Sequence, residues 1–134
     1  MSTNSAIGVL NADNTVTAIY CHFDGYLSHN GALLEQYYNT QELANALVAL
    51  GSISYLDVNI APEPEMSHTF KEPQPGVTVA YHRDRGEPFT QTKYHSKEYF
   101  SFNKHIKYLF MDGAWHIFKG YAKDWVPLKK ALEE

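Results

Sequence analysis

"SAIGVLNADNTVTAIYCHF", residues 5–23, is the stretch from which the fold is read. Ile7 and Val9 alternate with small residues. Asn11-Ala12-Asp13-Asn14 follows, and Asn and Asp tolerate left-handed backbone and bond their own main chain, which is turn chemistry. After the turn, Val16, Ala18, Tyr20 and His22 fall on one face of a strand, and Thr17, Ile19, Cys21 and Phe23 on the other. Neither face is purely polar, so this second strand of a β-hairpin is expected inside a sheet.

A second hairpin lies at residues 107–119, "KYLFMDGAWHIFK", where Asp112-Gly113 separates two β-rich runs and calls for a type I′ turn. Between the hairpins, Leu33, Leu34, Tyr37 and Tyr38 have helical spacing, after a loop over residues 24–31. A second helix follows, capped by Thr40 and ended by Gly51, with Leu43, Ala44, Leu47, Val48 and Leu50 on its buried side. Residues 52–57 suit a short strand or turn. Four prolines make residues 61–76, "APEPEMSHTFKEPQPG", an irregular loop. Residues 77–81 suit a strand and 82–89 a loop. Residues 96–105 fit a helix or a strand. A short terminal helix capped by Asp124 closes the chain. The expectation is a single α+β domain over residues 1–134. Its sheet is mainly antiparallel, with about five strands and two or three helices packed on one face.

A chain of 134 residues with 44% hydrophobic and 19% charged residues can bury one core. A formal net charge of −4 argues against a general nucleic-acid binder, which needs a basic face. The single cysteine, Cys21, precludes an internal disulfide framework and suits a reducing compartment. The opening stretch has no basic region or apolar run of signal-peptide type, and no run is long enough for a membrane span.

Two clusters carry the candidate chemistry. In "YCHFDGYLSHNG", residues 20–31, His22, Asp24, Tyr26, His29 and Asn30 lie together before a helix start. Free amides there attract anions, and His with Asp can bind a divalent ion, although the spacing is no known metal-ligand pattern. The alternative is a loop whose Asp and Asn serve turns and caps. The second cluster, residues 82–87, offers His82, Arg83, Arg85 and Glu87. Two arginine forks can bind phosphate, or Asp84 and Glu87 can neutralise them as local ion pairs. His68, His95, His105 and His116 read as isolated. No nucleophile elbow, phosphate-binding loop or paired-cysteine zinc motif is present.

Three segments, "VTAIYCHFDGY", "ELANALVALGSISYL" and "GVTVAYHRDRGE", together resemble a family of small proteins of tailed bacteriophages and prophages. Its first motif more often reads His-Trp-Asp-Gly-Tyr-Pro; here Phe23 and Leu27 replace the tryptophan and proline. The resemblance implies a phage or prophage origin and action in the cytoplasm of a bacterial host. It names no reaction, ligand or cofactor. The expectation is a phage accessory protein, with no catalytic residues, metal or cofactor, that binds a host bacterial protein or a small anionic, nucleotide-like ligand. Counter-defence is the implied setting. In that reading Arg83 and Arg85 hold phosphate, His22 and Asp24 bond base or sugar, and Tyr26 stacks. The alternative is a small metal-dependent phosphoester hydrolase, with His22, Asp24, His29 and His82 as ligands and Glu87 as base. A third expectation is a homo-oligomer that pairs through an open hairpin edge near Trp115.

Overall fold

A computed structural model describes residues 3–134. Met1 and Ser2, which the single-domain reading also spans, lie outside them. Both hairpins form. β1 (Ser5–Leu10) pairs antiparallel with β2 (Val16–Cys21), with Ile7 opposite Ile19. In the turn, the Asn11 and Asn14 amides donate to Thr15 O (2.8 Å) and Asn11 O (2.9 Å), and Asn14 takes a φ of 69°.

A single turn of π-helix (Leu27–Gly31) runs into α1 (Ala32–Tyr37), so the expected loop over 24–31 is helical in its second half. Helix α2 (Gln41–Val48) starts at Thr40, whose hydroxyl accepts from the Leu43 amide at 3.1 Å. Gly51 ends the segment at a φ of 78°. Ala44, Leu47 and Val48 are buried, while Leu43, expected among them, is exposed. β3 (Ile53–Tyr55) follows and pairs parallel to β2, so the two helices are a crossover between parallel strands. The 61–76 stretch is irregular, as its prolines require.

The strand expected at 77–81 shrinks to β4 (Val79–Ala80), antiparallel to β3. Tyr81 already opens α3 (Tyr81–Arg85), where a loop was expected, and Gly86 ends it at a φ of 74°. β5 (Thr92–Tyr94) pairs with the first half of β2, and α4 (Lys97–Ser101) is capped by Ser96. β6 (Ile106–Met111) and β7 (Ala114–Lys119) form the second hairpin, with Asp112 and Gly113 at φ 54° and 77°, a type I′ turn. β8 (Asp124–Pro127) is a strand where helix was expected, and α5 (Leu128–Glu133) starts only after Pro127.

Among the described residues the sheet has eight strands in the order β4-β3-β2-β1-β6-β7-β8, with β5 beside β2. It is mixed, not mainly antiparallel: β1–β6 and β2–β3 are parallel. Five α-helices replace the expected two or three, and they are not confined to one face. On the first face, Ile7, Ile19, Tyr108, Phe110 and Trp115 meet Leu34, residues of α2, and Leu128 and Ala131 of α5. The Trp115 indole donates to Tyr38 O at 3.0 Å, and the Tyr108 hydroxyl to Gly25 O at 2.7 Å. On the second face, Phe100 of α4 lies on Ala6, Val16, Ala18 and Leu109, stacked on Trp125 at 5.6 Å between ring centroids. The β7 edge near Trp115 is covered by β8, so the open edge on this side belongs to β8 and not to the hairpin.

Gly8 makes room for Phe100. A Cβ at that position would approach Val16 Cγ1 to 2.9 Å and the Phe100 ring to 3.1 Å, both in a packed layer. Gly8→Val is expected to cost about 1–3 kcal/mol and to lower the thermal midpoint. Because the strain falls on Phe100 as well as Val16, adding Phe100→Leu should recover part of that loss in the same melting experiment.

Candidate functional site

The first cluster divides between structural and free groups. Asn30 is fully buried, and its Nδ2 donates to Ser5 Oγ (3.0 Å) and Cys21 Sγ (3.3 Å), pinning the π-turn to the first hairpin. Burial pushes the Cys21 thiol up to about 11, so it is no nucleophile. Asp24 adopts a left-handed φ of 57°. The next residue must be glycine, because a Cβ on Gly25 would fall 2.8 Å from the Asn4 carbonyl carbon. His29 Nε2 bonds Leu56 O at 3.3 Å beside the exposed Tyr26 ring.

His22 turns to the second face. Asn4 Nδ2 donates to His22 O at 2.7 Å, which fixes the Asn4 amide and places the same nitrogen 3.5 Å from His22 Nδ1. Nδ1 is therefore the acceptor, and the Tyr20 hydroxyl, 2.8 Å away, donates to it. The Tyr20 ring also lies 5.4 Å from that of His105.

The second cluster is largely committed to itself. Arg83 donates from Nε to Asp84 Oδ1 (2.8 Å), from Nη1 to Ile60 O (2.5 Å), and from Nη2 to Thr78 O (2.7 Å) and Asp84 Oδ2 (3.0 Å). Asp84 Oδ2 also accepts from the Ala80 amide (2.8 Å) and sits 3.1 Å from His68 Nε2. His68 Nδ1 accepts from the Gln74 amide, so its proton is on Nε2, toward Asp84. His68, which reads as isolated in sequence, is thus part of a buried clamp on the 61–76 loop. Arg85 pairs with Glu87 at 3.4 Å and lies over the Phe70 ring, and His82 Nδ1 donates to Glu87 O at 2.7 Å.

Strands β2 and β4 run in opposite directions and both end beside Ile53, so the two loops start level with each other on either side of β3 and diverge from there. Between the clusters, Tyr81, hydrogen-bonded to Ser54, acts electrostatically on Tyr20. Among the described residues no three His, Cys, Asp or Glu side chains gather in a metal-type group. His22, Asp24, His29 and His82 are therefore not a donor set.

A cleft of about 150 Å³ opens on the second face, beside Tyr20. Ala6 and Ala18 form its floor, with Tyr20, Tyr94 and His105 as rings around it and Thr92 and Asn103 as polar groups. The 103–105 segment is held from beneath by Lys107, whose ammonium donates to Asn103 O and His105 O (3.1 Å) and faces the Phe118 ring. Asn103 in turn donates to the Tyr94 hydroxyl at 2.9 Å. Burial, with Lys104 and Lys107 nearby, lowers the His105 pKa, so this ring is neutral at pH 7. Both charges acting on it are positive. Sequence reasoning missed Tyr94, Asn103 and His105. The legible signal was the period-two spacing that puts Tyr20 and His22 on one face.

No protein-family model matches the chain, and no curated protein or solved structure matches it either. No helix among the described residues is long and apolar enough to cross a membrane.

The Asp84 clamp gives a stability prediction with a sign. Burial alone would raise its carboxyl, but hydrogen bonds from Arg83, the Ala80 amide and His68 outweigh it and hold the pKa below the ordinary value. A depressed carboxyl stabilises the fold above the unfolded value, about 3.9, and loses that contribution as pH falls through the folded value. Asp84→Ala is expected to cost about 3 kcal/mol at pH 7. In urea titrations, the gap between wild type and variant should narrow as the pH is taken below about 4.

Proposed function

We propose that this is a phage-encoded accessory protein that works in the bacterial host cytoplasm by binding, not catalysis, and that its ligand is a small anionic, nucleotide-like molecule. One observation carries the reading. The cleft beside Tyr20 combines aromatic walls, an alanine floor and neutral hydrogen-bonding groups with two lysines as the charges acting on its His105 wall. Rings and small floor residues suit a planar heterocycle, Asn103 and Thr92 suit its polar edge, and the Lys104 ammonium suits a phosphate. The resemblance to phage proteins supplies the setting, in which sequestering a host signalling nucleotide would serve counter-defence. His22 contributes by orienting Tyr20. Arg83 is committed to the clamp and Arg85 to Glu87, so phosphate recognition moves from the arginines to the lysine side of the cleft.

Thermal melting with a panel of nucleoside monophosphates and cyclic nucleotides tests this. At ligand about 100-fold above its Kd, the midpoint should rise by the equivalent of about 2.7 kcal/mol. Tyr20→Ala with His105→Ala should abolish the rise without changing the unliganded midpoint by more than a few degrees. No stabilisation by any nucleotide, together with a bare protein mass in native mass spectrometry, would overturn the reading.

A further inference from the structure

The register places three loops at one end of the sheet. Ser5 pairs with both Cys21 and Ile106, and β6 runs antiparallel to β7, so residues 22–26, 102–105 and 120–123 all leave from the end where β1 and β6 begin. These loops and the strand ends beside them carry Lys104, Lys119 and Lys123, and they present the two most exposed rings of the described residues, Phe102 at 79% and Tyr121 at 84%. Asp24 and Asp124 lie on these same loops and strand ends, and Asp124 accepts from the Trp125 amide. The acidic 57–72 stretch leaves β3 at this same end of the sheet, three strand positions across from β6. In a chain of net charge −4, the β6-to-β8 side of this end is therefore the basic, aromatic part, with Lys104, Lys119 and Lys123 against Asp124, and it is continuous with the cleft through Phe102-Asn103-Lys104-His105.

The geometry points to this end as a docking surface for a short single-stranded nucleic acid: one base enters the cleft between Tyr20, Tyr94 and His105, neighbouring bases stack on Phe102 and Tyr121, and Lys104, Lys119 and Lys123 meet the phosphates. This rests on the nucleotide reading above and names the nucleotide as part of a strand. Alternating cations and exposed rings are what sequence-tolerant strand binding uses, since every base has a stacking face and every linkage a charge. From β2 to β8 the surface crosses four strand spacings, roughly 19 Å at ~4.8 Å each, room for a few nucleotides. Duplex DNA hides its base faces and fits this surface poorly.

Fluorescence anisotropy with a labelled oligothymidylate of about ten nucleotides tests the inference on the full chain. Binding should weaken with salt, and Lys104→Glu with Lys123→Glu should reduce affinity at least about tenfold. Phe102→Ala with Tyr121→Ala should reduce it several-fold and leave the salt slope unchanged. Lys71→Glu with Lys97→Glu makes the same change of charge elsewhere and should have less effect than the first pair. Equal loss from both lysine pairs, or equal binding of a duplex, would overturn the inference. Thymidine monophosphate separates the two readings. If it binds and the oligonucleotide binds no more tightly, the strand surface fails and the small-ligand reading stands. If neither binds, the strand surface fails, and the small-ligand reading is left to the nucleotide panel.

Discussion

The parallel ladder between β1 and β6 is the constraint on which the rest depends. It runs from Ser5 opposite Ile106 to Val9 opposite Phe110, joining two hairpins about a hundred residues apart in sequence. Closing so long a loop costs chain entropy that no local contact returns. The return comes from burial on both faces at once, with Ile7, Tyr108 and Phe110 under the first-face helices and Ala6 and Leu109 under Phe100. The ladder is parallel, so both strands begin at one end of the sheet, and this sets His105 against Tyr20. Had β6 paired antiparallel, the 103–105 segment would lie at the opposite end and the cleft would have no wall.

What the sequence discloses follows the range of the interactions. Both hairpins are legible because their turns are encoded locally: Asn11 to Asn14 by side-chain bonding, and Asp112-Gly113 by tolerance of positive φ. The Thr40 cap and the Gly51 stop are legible for the same reason. The parallel pairings are not, because Leu-, Ile- and Tyr-rich strands carry no mark of which neighbour they take. β5 and β8 escape notice because they are three- and four-residue edge strands that are half-buried at most, without a clean alternating pattern. Asp124 looks like a helix cap and Tyr81 like the end of a strand. At Asp124 pairing with β7 decides the backbone, not the local residue, and at Tyr81 the helix α3 has already replaced the strand.

The candidate site shows the same division. Arg83, Asp84 and Arg85 read equally well as an anion site or as ion pairs, and the choice depends on groups far away in sequence. Ile60 O, Thr78 O and His68 complete the Arg83–Asp84 pair and leave it little capacity for a ligand. Removing either partner of such a desolvated pair exposes the other to the full cost of its burial, so the clamp holds the proline-rich loop firmly. Conversely, His105 looks isolated in sequence because its companion Tyr20 is more than eighty positions away. A histidine becomes part of a site through the ladder beneath it, and that ladder is a property of the fold.

Net charge misleads for a related reason. It averages over a surface, whereas a bound anion samples the potential within about a Debye length, ~8–10 Å at ordinary ionic strength. The acidic residues of the 57–72 stretch connect β3 to β4 at one side of the sheet, and Lys104, Lys119 and Lys123 lie around β6, β7 and β8 toward the other. From β3 to β6 is three strand spacings, roughly 14 Å at ~4.8 Å each, beyond the screening distance. The acidic side therefore does little to cancel the field at the basic end. The same acids still hold the whole molecule at a formal charge of −4, enough to suppress indiscriminate attraction to polyanions. Binding at the basic end then depends on stacking as well as charge, which selects for ligands with an exposed planar ring.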